Sequence, residues 1–180
     1  MDFYETTLSS KNIFSGRIIK LRLDEVMLPN GIKSTREIVE HPGAVAAVAI
    51  TNKNEILMVR QYRKSVEKEL LEIPAGKLEK GESKETCVKR ELMEETGYYP
   101  NNLKYLTSFY TSPGFSNEII HLFFAKNLIK KSKSADFDEN LQAQKIPFKE
   151  AINKIHSGEI VDGKTIMGLL LVFHQIKGEL

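Results

Sequence analysis

The chain has 180 residues, of which 41% are apolar and 28% are charged, with a net charge of +2. This length predicts one full core and a modest second lobe. The single cysteine, Cys87, excludes an intramolecular disulfide framework, and we expect it to be a small core residue. The start of the chain is not a basic segment followed by an apolar one, and no run of eighteen apolar residues occurs, so we expect a cytoplasmic protein with no membrane partner.

The charge of +2 alone indicates neither the presence nor the absence of a nucleic-acid partner. The lysines are spread along the chain, and no appended helix-turn-helix region is visible. We therefore expect no nucleic-acid partner.

The first part of the chain has the pattern of a small antiparallel sheet. Residues 11–28 alternate between polar and apolar side chains, as strands do, and Pro29-Asn30-Gly31 predicts a hairpin turn. We expect a β lobe over residues 1–40 and a second domain over residues 41–180, beginning near His41-Pro42-Gly43.

The second domain begins with residues 44–50, a short apolar run that predicts a buried strand, and a turn at residues 52–54 follows it. Further predicted elements are strands at 55–61, 104–110, 119–125 and 141–146, a loop at 130–140, and helices at 84–96, 148–156 and 165–177. Together these elements predict a mixed sheet with helices on its faces.

The helix at 84–96 carries the most informative pattern. Ser83 is suited to cap its start and Gly97 its end. Because residues four apart share a face, Glu91 and Glu95 lie one above the other with Glu94 beside them. Their carboxylates repel one another and are the ligands that Mg²⁺ and Mn²⁺ prefer, although taken alone they also fit a solvated, charged helix.

The flanking residues favour the metal site over a solvated helix. Arg90 is placed to hold one glutamate by a bidentate pair, and Glu82 is its expected partner. Residues 76–98 resemble the Nudix box, with Tyr98 standing where an aliphatic residue is commoner. The matching residues are Gly76, Glu82, Arg90, Glu91, Leu92, Glu94, Glu95, Gly97 and Tyr98. Seven fixed identities coincide by chance at a frequency on the order of 10⁻⁸ per position.

The Nudix resemblance implies an α/β (α+β) fold, namely an α/β/α sandwich with a mixed sheet, here preceded by the small antiparallel lobe. It also implies attack of water on a diphosphate, assisted by Mg²⁺, for which Mn²⁺ can substitute. By resemblance, Glu91, Glu95 and the carbonyl of Ala75 are metal ligands, and Glu94 is a ligand or lies in the water shell. Glu82, Arg90 and Glu94 are the expected catalytic residues of the box.

Segments outside the box resemble the ADP-ribose pyrophosphatase branch of the family. Pro113 follows Tyr98 by fifteen residues, and Arg63 and Arg36 match arginines that contact the substrate phosphates in that branch. Glu118 completes the expected substrate-binding set. A turn is the alternative for Pro113, and an exposed surface position is the alternative for each arginine.

The acidic loop at residues 135–140 resembles the segment that supplies the general base in this branch. Glu139 is the expected base and Asp138 the alternative. The match is partial, since Phe137 lies between two aspartates, and a solvated loop is the other interpretation.

In this branch an N-terminal lobe exchanges between two subunits, so the resemblance implies a homodimer. Tyr4, Phe14 or Ile18 would then offer an apolar platform for adenine or simply fill the core.

The expected reaction is hydrolysis of ADP-ribose to AMP and ribose 5-phosphate. The alternatives are a hydrolase of another nucleoside diphosphate sugar, such as GDP-mannose, and a Nudix-like regulator that binds a ligand without catalysis. The intact Glu91, Glu94 and Glu95 disfavour the regulator.

Overall fold

The computed structural model describes residues 2–131 and 140–176. Within them the chain forms three sheets and three helices. The strands are β1 (Thr6–Ser15), β2 (Lys20–Met27), β3 (Lys33–Glu40), β4 (Ala44–Ala49), β5 (Glu55–Arg63), β6 (Lys68–Glu72), β7 (Ala75–Lys77), β8 (Tyr98–Tyr110), β9 (Ile119–Lys130) and β10 (Leu141–Pro147). The helices are α1 (Lys84–Thr96), α2 (Phe148–His156) and α3 (Gly163–Ile176).

The chain divides into two compact units, and the first contains Met1–Gly43 together with Phe109–Ile119. Its sheet has the antiparallel order β1-β2-β3. The hairpin turn predicted between β2 and β3 is present, with Leu28 N donating to Ile32 O at 2.9 Å. Strand β1 lies at the edge of this sheet, and all ten of its residues are exposed.

The later segment of the first unit is hydrogen-bonded to the end of β3. Val39 N donates to Phe115 O at 2.7 Å, and Asn117 N donates back to Val39 O at 3.2 Å. The Asn117 side chain also accepts from His41 N at 2.8 Å. The predicted N-terminal lobe, residues 1–40, does not include this segment.

The second unit, Ala44–Ser108 with Ile120–Leu180, is built around β4. Strand β4 runs parallel to β9 and antiparallel to β7, in a sheet of order β7-β4-β9-β8, and a second sheet has the order β10-β5-β6. The mixed sheet that the sequence predicts is therefore present.

Strand β4 is apolar without alternation because both of its faces are covered. On one face Val45 and Ala47 pack with Val88 and Leu92 of α1. On the other face α3 approaches so closely that a Cβ on Gly168 would lie 2.8 Å from a methyl group of Val48. Helices thus pack against both sides of this strand.

The predicted bounds of α1 and α2 are confirmed, whereas α3 begins two residues earlier than predicted. Strands β6 and β7 are not among the predicted elements, β8 begins earlier than predicted, and β9 ends later than predicted. No helix in the described part of the chain is both long and apolar enough to cross a membrane.

Candidate active site

Helix α1 carries the residues predicted to bind a metal. The Ser83 hydroxyl caps its start by accepting from Thr86 N at 3.1 Å, and Gly97 ends it with a left-handed φ of 75°. The side chains of Glu91 and Glu95 are buried, with only 8% and 2% of their surface exposed. Because burying an uncompensated carboxylate is costly, the groups around these two glutamates decide what the site can do.

Arg90 binds three glutamates at once. Its Nε and Nη2 donate to the two carboxylate oxygens of Glu82, both at 3.0 Å, which is the predicted bidentate pair. Its Nη1 donates to Glu91 at 2.8 Å and to Glu94 at 2.9 Å. Charge-assisted hydrogen bonds from one guanidinium therefore fix three of the predicted site carboxylates.

Glu82 and Arg90 are both charged at neutral pH. The hydrogen bonds from Arg90 lower the pKa of Glu82 to about 2. The pKa of Arg90 is raised above its usual range, mainly by its hydrogen bonds to Glu82 and then by the charge of Glu91. Arg90 therefore carries a permanent positive charge that favours the ionised form of Glu82.

Cys87, on the same helix, is fully buried. Burial is the main cause that raises the pKa of its thiol to about 12. A neutral, buried thiol is a poor nucleophile, so the prediction of a small core residue is confirmed.

Strand β7 lies beside the α1 carboxylates. It pairs with β4 through Ala75 and Ala46, and Ala75 N donates to Glu95 at 3.0 Å. A Cβ on Gly76 would lie 1.9 Å from the carboxyl carbon of Glu91, far inside any non-bonded contact. Glycine at this position therefore leaves the space that the Glu91 carboxylate occupies.

These residues fit a hard divalent cation by donor type. Carboxylate and carbonyl oxygens are the ligands of Mg²⁺ and Mn²⁺, and Ala75, Glu91 and Glu95 meet where Gly76 leaves room. In residues 2–131 and 140–176 no three His, Cys, Asp or Glu side chains converge as a ready-made metal cage. Glu91 and Glu94 are directed to Arg90 instead.

Arg63, predicted to contact substrate phosphate, lies at the end of β5. Its Nε and Nη2 donate to the two oxygens of Glu72, both at 2.7 Å. Glu72 is 1% exposed and also binds Lys164. The arginine therefore forms a bidentate pair with a buried carboxylate, and 39% of its side chain remains exposed.

Arg36, the other predicted phosphate ligand, lies on β3 of the first unit. It forms a bidentate pair with Glu5, and its Nη1 donates to Ser34 Oγ at 3.0 Å and to the carbonyl of Thr35 at 2.9 Å. Binding of a phosphate by this guanidinium would therefore require exchange with Glu5.

Pro113 and Glu118 lie in the segment of the first unit that joins β8 to β9. Glu118 accepts from the Thr111 hydroxyl at 2.7 Å, and one of its oxygens lies 3.5 Å from His41 Nδ1. The hydrogen bond from Thr111 thus orients the Glu118 carboxylate.

The predicted base, Glu139, and its alternative, Asp138, lie outside the described residues. The three candidate platforms for adenine are all exposed, Tyr4 by 73% and Phe14 and Ile18 by 54% each. In this structure they do not fill a core.

The partners of Arg63 are not among the residues predicted from the sequence. Glu72 falls in the run Leu70-Leu71-Glu72-Ile73, where a charged residue among apolar ones indicates a buried, compensated carboxylate. Lys164 is 92 residues away along the chain, and no local pattern connects the two.

Comparison with known proteins identifies the family. A model described as "NUDIX domain" matches residues 40–167, which is most of the chain. The chain belongs to the NUDIX family. A second model, "Nucleoside diphosphate sugar hydrolase N-terminal domain", matches residues 5–39, the part of this NUDIX protein that contains β1, β2 and most of β3.

Relatives with known names match this NUDIX protein over most of its length. An ADP-ribose pyrophosphatase of Bacillus subtilis is 47% identical, over 89% of this chain and 88% of its own. A methanol dehydrogenase activator of Bacillus methanolicus is 52% identical, over 93% and 91%. A GDP-mannose pyrophosphatase of Yersinia enterocolitica is 37% identical, over 95% and 93%.

A solved structure titled "Crystal structure of ADP compounds hydrolase" matches 97% of this chain and 95% of its own, with a TM-score of 0.86 and 23% identity. At this identity the likeness concerns the fold, and it confirms the predicted fold class.

Proposed function

We propose that this NUDIX protein hydrolyses the diphosphate of ADP-ribose, with Mg²⁺, to AMP and ribose 5-phosphate. The arrangement of Glu91 and Glu94 around Arg90, with Glu91 beside Gly76 and Glu95 bound to Ala75 N, carries the hydrolytic part of the proposal. The 47% identity to an ADP-ribose pyrophosphatase over most of both chains supports the choice of substrate.

In this proposal Glu91, Glu95 and the carbonyl of Ala75 hold the cation, with Glu94 as a further ligand or in its water shell. When bound, the cation neutralises charge on the diphosphate and makes the attacking water more acidic. Mn²⁺ is expected to substitute, since it prefers the same oxygen ligands.

The chain's other side chains orient the reactants. Arg90 positions Glu91 and Glu94, and Glu82 fixes the other edge of its guanidinium. Glu139, with Asp138 as the alternative, removes the proton from water as it attacks one phosphorus atom and the bridging oxygen leaves on the other phosphate.

For substrate binding we propose Arg63 and Arg36 as phosphate ligands, with Pro113 and Glu118 in the loop that borders the substrate. Arg63 retains Nη1 for this purpose, whereas Arg36 must first release Glu5. Bidentate guanidinium groups are well suited to phosphate oxygens.

We also propose that the protein acts in the cytoplasm as a homodimer, without a nucleic-acid or membrane partner. The exposed edge strand β1, with Leu8, Ile13 and Phe14 exposed by 44%, 50% and 54%, supports pairing with a second copy. Tyr4, Phe14 or Ile18 would then provide a platform for adenine in the assembled site.

The substrate is tested by incubating purified protein and Mg²⁺ with ADP-ribose, ADP-glucose, GDP-mannose, diadenosine polyphosphate and dGTP, with and without chelator. Preferential, chelator-sensitive release of AMP from ADP-ribose supports the proposal. Preference for another nucleotide keeps the chemistry and rejects the substrate. No hydrolysis of any of them favours the ligand-binding regulator.

Two relatives support second candidates. The GDP-mannose pyrophosphatase, at 37% identity, favours GDP-mannose as the alternative substrate. The methanol dehydrogenase activator, at 52% identity, favours a role as an activator of an alcohol dehydrogenase. That role predicts faster methanol oxidation when the protein is added to a methanol dehydrogenase, and an unchanged rate would reject it.

A further inference from the structure

Glu72 is a buried carboxylate that binds two cations. One of its oxygens accepts from Arg63 Nε at 2.7 Å, and the other accepts from Arg63 Nη2 at 2.7 Å and from Lys164 Nζ. Burial alone would raise the pKa of Glu72, but the hydrogen bonds from Arg63 and the charge of Lys164 outweigh it and lower that pKa. The carboxylate is therefore charged and compensated from two sides.

The start of α3 holds Lys164 in place. Lys164 Nζ lies 3.0 Å from Asp162, which caps the helix by accepting from Thr165 N at 3.0 Å. The Thr165 hydroxyl donates to Asp162 and accepts from Ile73 N at 2.9 Å, one residue beyond Glu72. Side chains from the start of α3 thus contact Glu72, the last residue of β6, and Ile73, which follows it.

This arrangement leaves one edge of the Arg63 guanidinium open. Nε and Nη2 are bound to Glu72, whereas Nη1 donates to no residue in the ranges 2–131 and 140–176. In the β5–β6 ladder Arg63 lies opposite Lys68 and Val59 lies opposite Glu72. The Arg63 side chain therefore extends along the strands toward Val59, where it meets Glu72. This contact with Glu72 determines where the open edge of the guanidinium lies.

The charges of the group balance. Arg63 and Lys164 carry two positive charges, and Glu72 and Asp162 carry two negative ones. Without Lys164 the four-residue group would have a net charge of −1. Arg63 would then be the one cation in the group that compensates the charge of Glu72. Both changes would weaken the attraction of Arg63 for a phosphate.

We propose that Glu72 and Lys164 are positioning residues that hold Arg63 ready for a substrate phosphate, with Lys164 offsetting the charge of Glu72. This inference rests on the proposed function, since it assigns a purpose to the phosphate contact of Arg63. Lys164 acts through Arg63 and does not itself touch the substrate.

The test is a double-mutant cycle on ADP-ribose hydrolysis. Lys164→Met should raise KM about tenfold, because a charge close to the phosphate site is lost. Its kcat should stay within about twofold, because the residues on α1 are unchanged. Lys164→Arg should restore KM, and Lys164→Gln, which keeps a hydrogen-bond donor without the charge, should behave as Lys164→Met does.

The cycle separates positioning from folding. If Lys164 acts through Arg63, the variant Arg63→Ala/Lys164→Met should have the same KM as Arg63→Ala alone. Lys154 provides the matched control, since it also pairs with two carboxylates, Glu150 and Glu159, and lies on α2. Lys154→Met should leave KM unchanged. An unchanged KM in Lys164→Met, or additive effects in the double variant, would overturn the inference.

A second readout does not depend on turnover. The Arg63 Nε–H resonance, assigned by its loss in Arg63→Ala, should exchange slowly with solvent in the wild type and in Lys164→Arg and faster in Lys164→Met. A wild type that hydrolyses no nucleotide would reject the proposed function while leaving this comparison intact. Equal exchange rates in the wild type and Lys164→Met would reject the positioning role itself.

Discussion

The close approach of the Glu91 carboxylate explains why residue 76 is a glycine. A Cβ there would overlap the Glu91 carboxylate at 1.9 Å. Gly76→Ala should therefore displace Glu91 and lower both Mn²⁺ affinity and hydrolysis by about 100-fold, at the upper end of the losses seen when ligands are misoriented. Isothermal titration with Mn²⁺ and initial rates measure the two effects.

Gly163→Ala is the control for this prediction, because a Cβ on Gly163 meets nothing within 4 Å. It should keep wild-type Mn²⁺ affinity and rate. Wild-type metal binding in Gly76→Ala would mean that Glu91 does not hold the cation.

For single residues, the sequence predicts a contact within one helix and the segment at its start, and it misses contacts between separate elements. The predicted pair of Glu82 and Arg90 joins a residue just before α1 to a residue within it. The pairs that Glu72 forms with Arg63 and Lys164 depend on how β5, β6 and α3 come together. No local pattern in the sequence encodes that arrangement.

At the scale of the element, the Glu82–Arg90 pair ties the segment before α1 to the helix itself. The pKa of Glu82 is lowered in the folded protein, so its contribution to the free energy of unfolding is present above its unfolded pKa of about 4.5. That contribution is lost as the pH falls toward about 2. The stability difference between wild type and Glu82→Gln should therefore shrink as the pH falls from about 5 to about 3.

Urea unfolding of both proteins at several pH values measures this difference. Glu85→Gln changes an exposed glutamate in the first turn of the same helix and should alter stability less at every pH. If the difference in the free energy of unfolding between wild type and Glu82→Gln does not depend on pH, the charge of Glu82 does not stabilise the start of the helix.

The predictability of an element depends on how local its signals are. The caps Ser83 and Gly97 adjoin the helix that they delimit, and the bounds of α1 were predicted correctly. Strand β7 has three residues and includes a glycine, and it is a strand because it pairs with β4. Its propensity alone does not predict it.

At the scale of the whole molecule, the proposed dimer predicts how the protein sediments. Exposed apolar residues on an edge strand favour pairing with a second copy. The molar mass of the wild type, obtained from sedimentation, should therefore be twice that of one chain. Leu8→Glu/Ile13→Glu places charges on that strand and should shift the protein toward the monomer. Analytical ultracentrifugation measures both.

Val66→Glu is the matched control, since Val66 is a similarly exposed apolar residue outside the strands, at 52%. It should leave the dimer intact. A monomeric wild type, or a double variant that still dimerises, would contradict the proposed role of the lobe.

The metal-dependent hydrolysis that we propose is tested by the release of AMP from ADP-ribose by wild type and Glu95→Gln, with Mg²⁺ and with chelator. Glu95 accepts from Ala75 N, and glutamine keeps an acceptor and the side-chain shape while removing the charge that a cation needs. We expect rapid, chelator-sensitive release by the wild type and a loss of about 100-fold or more in Glu95→Gln, with little change in thermal stability. Wild-type turnover in Glu95→Gln, or turnover that survives the chelator, would contradict the proposed role of Glu95 as a metal ligand in this reaction.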